Sequence, residues 1–204
     1  KRSPGDPIPI GALLPLTGDL ESKGQSRRAA LEIAFAEITN APGMPPFQLL
    51  VEDTSTDSHV ALSKLQQFYA QGVQVVIGPE TSAEAQALLE FANSHGMLLV
   101  SSASTAPRLA IVDDNLMRLT MDDTLQARRL ARQMMDDGFT NLAVLARSDL
   151  YGEDLRTAFL QEYGALGGHV FLDEYLPRAP QLIPEVVSNV NDLVSAQIAL
   201  TGAD

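Results

Sequence analysis

Short apolar runs alternate with longer amphipathic stretches along the whole chain. Runs of about three to seven apolar or small residues predict buried strands, and apolar residues at helical spacing predict the helices between them. The predicted strands are 8–14, 47–51, 73–77, 97–100, 115–119, 142–145, 170–172 and 197–200. Strands that alternate with helices of ten or more residues form right-handed βαβ units. The pattern therefore predicts an α/β fold with largely parallel sheets.

The spacing of apolar residues also predicts which helix faces are buried. In the first helix, about residues 24–39, Ala30, Ala34 and Ile38 form one stripe with Leu31 and Phe35 beside it, and we expect these residues to face the core. Asp57 stands where an N-cap is expected for the second helix.

Composition removes several classes of function. The chain has 204 residues, no cysteine and a formal net charge of −12. The missing thiols exclude disulfides, thiolate metal sites and cysteine nucleophiles within it. A negative field repels phosphate, so nucleic acid is not an expected partner. Any signal peptide or lipid-bearing cysteine is expected upstream of Lys1.

Catalytic motifs are not visible in the sequence. His59, His95 and His169 lie far apart without metal-ligand spacing, and neither a GxSxG elbow nor a GxxxxGK[ST] loop occurs. We expect no enzyme, no metal and no cofactor. An enzyme on an α/β scaffold is the weakest of the alternatives.

A polar loop follows the predicted strand 73–77. Thr81 and Glu84 match the capping box of a helix, which leaves Ser82 to point its hydroxyl toward a crevice. A helix N-terminus also attracts anions. The alternative interpretation is that the loop only caps its helix.

A second such loop, residues 101–107, follows the strand 97–100 and reads Ser-Ser-Ala-Ser-Thr-Ala-Pro. It either lines a ligand site or caps a short helix that begins at Pro107. Ligands of open parallel sheets bind beyond the carboxyl ends of the strands. Two hydroxyl-rich loops at neighbouring strand ends favour a site for a small polar solute.

The order of these motifs resembles the type I periplasmic solute-binding proteins, in particular their branched-chain amino-acid-binding (leucine/isoleucine/valine) branch. The residues that carry the resemblance are 10–18, Gly24, 76–79, Ser82, 101–109, Arg118, Asp123, Gln126, Tyr151-Gly152 and Gly167-Gly168.

The resemblance implies two Rossmann-like lobes with parallel sheets, lobe one being 1–119 and an incomplete second lobe 120–204. It implies a periplasmic or extracellular protein that captures an amino acid for the permease of an ABC transporter. A ligand-sensing regulatory or receptor domain of the same fold is the alternative. We also expect the sheet edge left open at the end of the chain to permit self-association.

The resemblance also assigns site residues. A ligand carboxylate would be held by Ser82 and by the loop Ala103, Ser104 and Thr105, and Tyr151 would cover the ligand from lobe two. Lys23 stands where an aromatic residue is common, and Asp123 is expected near the cleft. The acidic residue that binds the ligand ammonium group is expected beyond Asp204.

Overall fold

Strands and helices alternate in a computed structural model that describes residues 5–39, 41–177 and 180–201. The strands are β1 (Ile8–Leu14), β2 (Phe47–Asp53), β3 (Val75–Ile77), β4 (Leu98–Ser101), β5 (Leu116–Arg118), β6 (Asn141–Arg147) and β7 (His169–Leu176). The helices are α1 (Glu21–Thr39), α2 (Ser58–Ala70), α3 (Ser82–His95), α4 (Asp123–Asp136), α5 (Leu150–Ala165) and α6 (Ile183–Thr201). Short 3₁₀ helices cover Pro107–Leu109 and Pro180–Leu182.

The chain folds as two compact units, Lys1–Met121 (unit 1) and Asp122–Asp204 (unit 2). The strands of unit 1 form one parallel sheet in the order β2-β1-β3-β4-β5. The α/β prediction is confirmed. The chain leaves β1 in one direction and builds the rest of the sheet in the other, so the order of the strands reverses between β1 and β3. Ligands of open parallel sheets bind beyond the carboxyl ends of the strands at such a point.

The core of unit 1 lies around its central strand and two of its helices. Ala12, Leu13 and Leu14 of β1 are at most 2% exposed, and Leu65 and Phe68 of α2 are equally buried. A central parallel strand is covered on both faces, which explains why the end of β1 is continuously apolar.

Helix α1 buries only part of the predicted face. Ala30 and Ile38 are exposed, whereas Leu31, Ala34 and Phe35 are half-buried. Residues spaced by four drift around a helix that has 3.6 residues per turn. The half-buried residues follow the spacing i, i+3, i+4 instead.

Unit 2 contains the parallel pair β6-β7, with a β-bulge at Leu142/Ala143. Helices α4 and α5 bury Ala127, Ala131, Phe159 and Tyr163 together. The Tyr163 hydroxyl donates to the Phe139 carbonyl at 2.7 Å, which satisfies the polar end of that buried ring.

The strand predicted at 197–200 is wrong, because these residues continue α6. No glycine or proline follows Pro184 within that helix, so no residue of this stretch stops its propagation. Within the part of the chain that the structure describes, a helix with the length and hydropathy for crossing a membrane is not found.

Candidate functional site

The candidate site is built from loops at the carboxyl edge of the unit 1 sheet. The loop after β3 passes close to β1 at Gly78, whose φ is +114°. A Cβ atom at this position would stand 2.4 Å from the Leu13 carbonyl oxygen. Only glycine fits this turn, and it brings the β3 loop against the central strand.

The predicted capping box is confirmed at the start of α3. Thr81 Oγ1 accepts from the Glu84 N–H at 3.1 Å, and Glu84 Oε2 accepts from the Thr81 N–H at 2.9 Å. The exchange fixes the direction in which α3 leaves the β3 loop.

Ser82 is the first residue of α3 and is only 3% exposed. Its Oγ accepts a hydrogen bond from the Ala106 N–H at 3.2 Å, so it also joins the β3 and β4 loops. An oxygen that accepts a bond keeps its own proton for donation. Ser82 can therefore anchor the β4 loop and still donate to an anion.

Two further serines tie the same loops together. Ser101 and Ser104 are fully buried. The Ser101 hydroxyl donates to the Pro79 carbonyl at 2.8 Å, and the Ser104 hydroxyl donates to the Thr81 carbonyl at 3.1 Å. The Ser104 N–H donates to Ser101 Oγ at 3.0 Å. The hydroxyl and the N–H of Ser104 are thus both hydrogen-bonded within the protein.

The remaining loop residues are more accessible. Ser102 is exposed, and Ala103 and Thr105 are half-buried. Pro107 opens the 3₁₀ helix at its first position, but the N-cap residue is Ala106 and no side chain makes a capping hydrogen bond, so the hydroxyls of this loop do not cap the helix. The loop is both a helix start and a small-residue surface beside Ser82.

Asp53 connects the loops after β1 and β2, a role that the sequence analysis missed. Its Oδ1 accepts from the N–H groups of Leu16 (2.8 Å), Thr17 (3.1 Å) and Ser55 (2.8 Å), and Oδ2 accepts from the Thr17 hydroxyl at 2.6 Å. Burial raises the pKa of this carboxyl, but the hydrogen bonds together lower it by more than burial raises it. The pKa therefore lies below its ordinary value. The sequence signal was an aspartate at a strand end followed by Thr and Ser, a common turn composition.

An ion pair links α1 to the β3 loop. Arg27 contacts both oxygens of Glu80, whose side chain is 6% exposed, and Nη2 donates to Oε1 at 2.8 Å. Lys23 lies one turn earlier on the same face of α1 and is exposed. This pair also escaped the sequence analysis, because its partners are separated by 53 residues.

The structure brings Ser82, Ala103, Ser104 and Thr105 together in unit 1. Of the other three predicted site residues, Lys23 lies on α1 of unit 1, and Asp123 and Tyr151 belong to unit 2. Asp123 is the first residue of α4 and is 2% exposed. Tyr151 is half-buried in the first turn of α5, with the Arg147 guanidinium 5.9 Å from its ring centre.

A cavity of about 400 Å³ runs along β6 in unit 2. Its walls are mainly apolar side chains of α4, β6 and α5. Tyr151 and Arg147 also line it. Among the described residues, His, Asp and Glu side chains do not gather in a group that could hold a metal ion.

The chain matches known proteins over most of its length. Residues 7–197 match a family model described as periplasmic binding protein. The uncharacterized protein MJ1266 of Methanocaldococcus jannaschii is 29% identical over 198 residues, which cover 91% of this chain and 47% of that protein. The Leu/Ile/Val-binding protein BraC3 of Rhizobium johnstonii is 26% identical over 164 residues, covering 78% of this chain and 45% of BraC3. The chain therefore spans about half the length of these relatives.

A solved structure shows the same fold. The branched-chain amino acid transporter substrate-binding protein LivJ of Streptococcus pneumoniae, in complex with isoleucine, superposes with a TM-score of 0.81 at 20% identity. The match covers 91% of this chain and 54% of LivJ.

Proposed function

The chain belongs to the periplasmic binding protein family, and on that premise we propose that it binds a small carboxylate-bearing solute, an amino acid, outside the cytoplasm. In this proposal the bound solute is handed to the permease of an ABC transporter. Relatives that carry Leu/Ile/Val-binding names support an amino acid as the ligand class.

The observation that carries the proposal is the arrangement of Ser82 beside the β4 loop. The Ser82 hydroxyl lies at the N-terminus of α3, where the partial positive charge of the helix favours an anion. It accepts from Ala106, so its proton is directed away from that N–H and is available to a carboxylate oxygen. Ala103 and Thr105 supply small, half-buried surface for the same head group.

We propose binding without turnover. The Ser101 and Ser104 hydroxyls donate to backbone carbonyls at 2.8 and 3.1 Å. A serine nucleophile is instead activated by a general base, usually a histidine, that takes its proton. These hydroxyls have the contacts of structural groups.

Residues outside this platform are assigned supporting roles in the proposal. Tyr151 of unit 2 would cover the solute, as the family resemblance implies, and Asp123 would border the cleft. Lys23 would add positive charge at the rim, since it is exposed on the α1 face that carries Arg27.

Calorimetry with isoleucine, leucine, benzoate and leucinamide tests the proposal. We expect the first three to bind and leucinamide, which lacks the carboxylate, to bind at least tenfold more weakly. A charge-assisted hydrogen bond is worth about 1.5–3 kcal/mol, so Ser82→Ala is expected to raise Kd by about ten- to a hundredfold.

Two variants separate binding from folding in this test. Ser82→Thr keeps the hydroxyl and is expected to retain more affinity than Ser82→Ala. Thr81→Ala removes the cap and is expected to cost about 1 kcal/mol of stability with little effect on Kd. Equal affinity for leucine and leucinamide in the wild-type chain would show that the ligand class is wrong.

A further inference from the structure

The β4 loop is held at its start by a backbone hydrogen bond and at its end by the side chains of Ser82 and Arg118. The Leu119 N–H donates to the Ser101 carbonyl at 2.8 Å, next to the last residue pair of the sheet, Ser101 with Arg118. The half-buried Arg118 side chain reaches the other end of the loop, where Nη1 donates to the Ala106 carbonyl at 3.1 Å and lies 3.5 Å from the Ser104 carbonyl.

Ala106 is consequently held on both of its peptide groups. Its N–H donates to Ser82 Oγ, its carbonyl accepts from Arg118, and the residue is fully buried. A displacement of Ala106 moves the partner of Ser82 and changes the direction in which Ser82 presents its proton. Arg118 is therefore linked to Ser82 through one intervening residue.

Arg118 also occupies a particular place in the chain. It is the last residue of β5, and only residues 119–121 separate it from unit 2, which begins at Asp122. Its guanidinium connects the carbonyls of the candidate binding loop to the segment that leaves unit 1.

From these contacts we propose that Arg118 is a positioning residue of the carboxylate site, which sets the orientation of Ser82 and ties the β4 loop to the segment entering unit 2. This inference rests on the proposed function. Nη1 of the guanidinium carries two N–H groups in a fixed plane and lies near both carbonyls. A thioether has no hydrogen to donate, and a lysine ammonium is a compact donor without that planar geometry.

Arg118→Met, Arg118→Lys and the charge-matched control Arg129→Met test the inference. Arg129 is exposed on α4, so its replacement changes net charge without touching the loop. We expect Arg118→Met to raise the Kd for leucine about tenfold, Arg118→Lys to restore part of that loss, and Arg129→Met to leave Kd unchanged. Ser82→Ala and Arg118→Met together are expected to weaken binding by less than the product of their separate effects.

Amide hydrogen exchange gives a second readout that a merely stabilising residue would not produce. In Arg118→Lys the amides of Ser104 and Ala106 are expected to exchange at least tenfold faster, while those of the α3 interior keep their wild-type rates. Equally faster amide exchange at all positions of unit 1 in Arg118→Lys would contradict the positioning role. This readout does not depend on whether Arg118→Met folds.

Different results would contradict the proposed function and the proposed role of Arg118. Absence of binding by the wild-type chain to isoleucine, leucine and benzoate contradicts the proposed function. Wild-type binding combined with an unchanged Kd in Arg118→Met contradicts only the role of Arg118.

Discussion

At the residue scale, single polar side chains hold together loops that are distant in sequence. Asp53 joins the loops after β1 and β2, and Arg118 joins β5 to the β4 loop. Asp53 accepts from three backbone N–H groups, and Arg118 donates to a backbone carbonyl. The crevice edge thus depends on a few side chains rather than on regular secondary structure.

The lowered pKa of Asp53 leads to a prediction about the stability of the chain in acid. Its folded pKa lies below the ordinary value, so the unfolded chain takes up the proton first as pH falls. Its stabilising contribution is complete above the unfolded pKa of about 3.9 and is lost as pH falls through the lower folded pKa. Asp53→Asn is expected to destabilise the chain at pH 7 and to reduce the loss of stability between about pH 5 and 3.

Urea denaturation at several pH values checks this expectation. Asp57, which caps α2, also has a lowered pKa because it accepts from the N–H groups of Val60 and His59. It titrates with the same sign, so Asp53→Asn removes only part of the acid sensitivity. Identical pH profiles for the variant and the wild type would contradict the role of Asp53.

At the element scale, two helices begin in direct contact with the loop before them. A Cβ atom at Gly24 of α1 would stand 2.0 Å from the Pro15 carbonyl oxygen. One at Gly152 of α5 would stand 2.3 Å from the Arg147 carbonyl oxygen. In each unit a helix thus approaches the end of the preceding strand as closely as only glycine allows.

Gly24→Ala is expected to destabilise the chain by at least about 1–3 kcal/mol, since the backbone oxygen cannot move aside without shifting α1. Gly164→Ala is the matched control, because its Cβ meets nothing within 4 Å inside α5. There the better helix propensity of alanine is expected to add about 0.5–1 kcal/mol. Equal stability of the two variants in urea denaturation would refute the close contact at Gly24.

At the scale of the whole molecule, unit 2 exposes an apolar strand. Residues 142–146 of β6 are continuously apolar, a pattern of strands buried on both faces. Here they are half-buried or exposed, Leu145 being 37% exposed, and they line the cavity along β6. Exposed apolar strand surface promotes association between chains.

The chain is therefore expected to self-associate as its concentration rises, and sedimentation velocity measures this directly. Leu145→Glu places a charge in the cavity wall and is expected to shift the distribution toward monomer. Ile33→Glu changes a 64% exposed residue of α1 in unit 1 and serves as the control. A wild-type monomer at every concentration would contradict the expectation.

Local sequence determined the α/β class, nearly all elements, the Thr81 capping box and the Asp57 cap. These features depend on periodicity and on contacts between residues a few positions apart, which a sequence displays directly. The end of α6 was misjudged at 197–200 because a short apolar run fits a strand or a helix equally well. The hydroxyl-rich loops at neighbouring strand ends pointed to Ser82 and the 101–107 loop, and the family resemblance then assigned Ser82 and residues 103–105 to a ligand carboxylate.

Tertiary structure decided how those residues are used. The bond from Ala106 to Ser82 spans 24 residues, that from Leu16 to Asp53 spans 37, and that from Arg118 to Ala106 spans 12. Parallel strands bring such residues to one edge of the sheet, whereas nothing in the local pattern states which hydroxyl meets which backbone group. The sequence therefore predicted Ser104 as a ligand contact but could not show its buried hydrogen bonds to Ser101 and Thr81. Those bonds depend on how the β3 and β4 loops pack against each other.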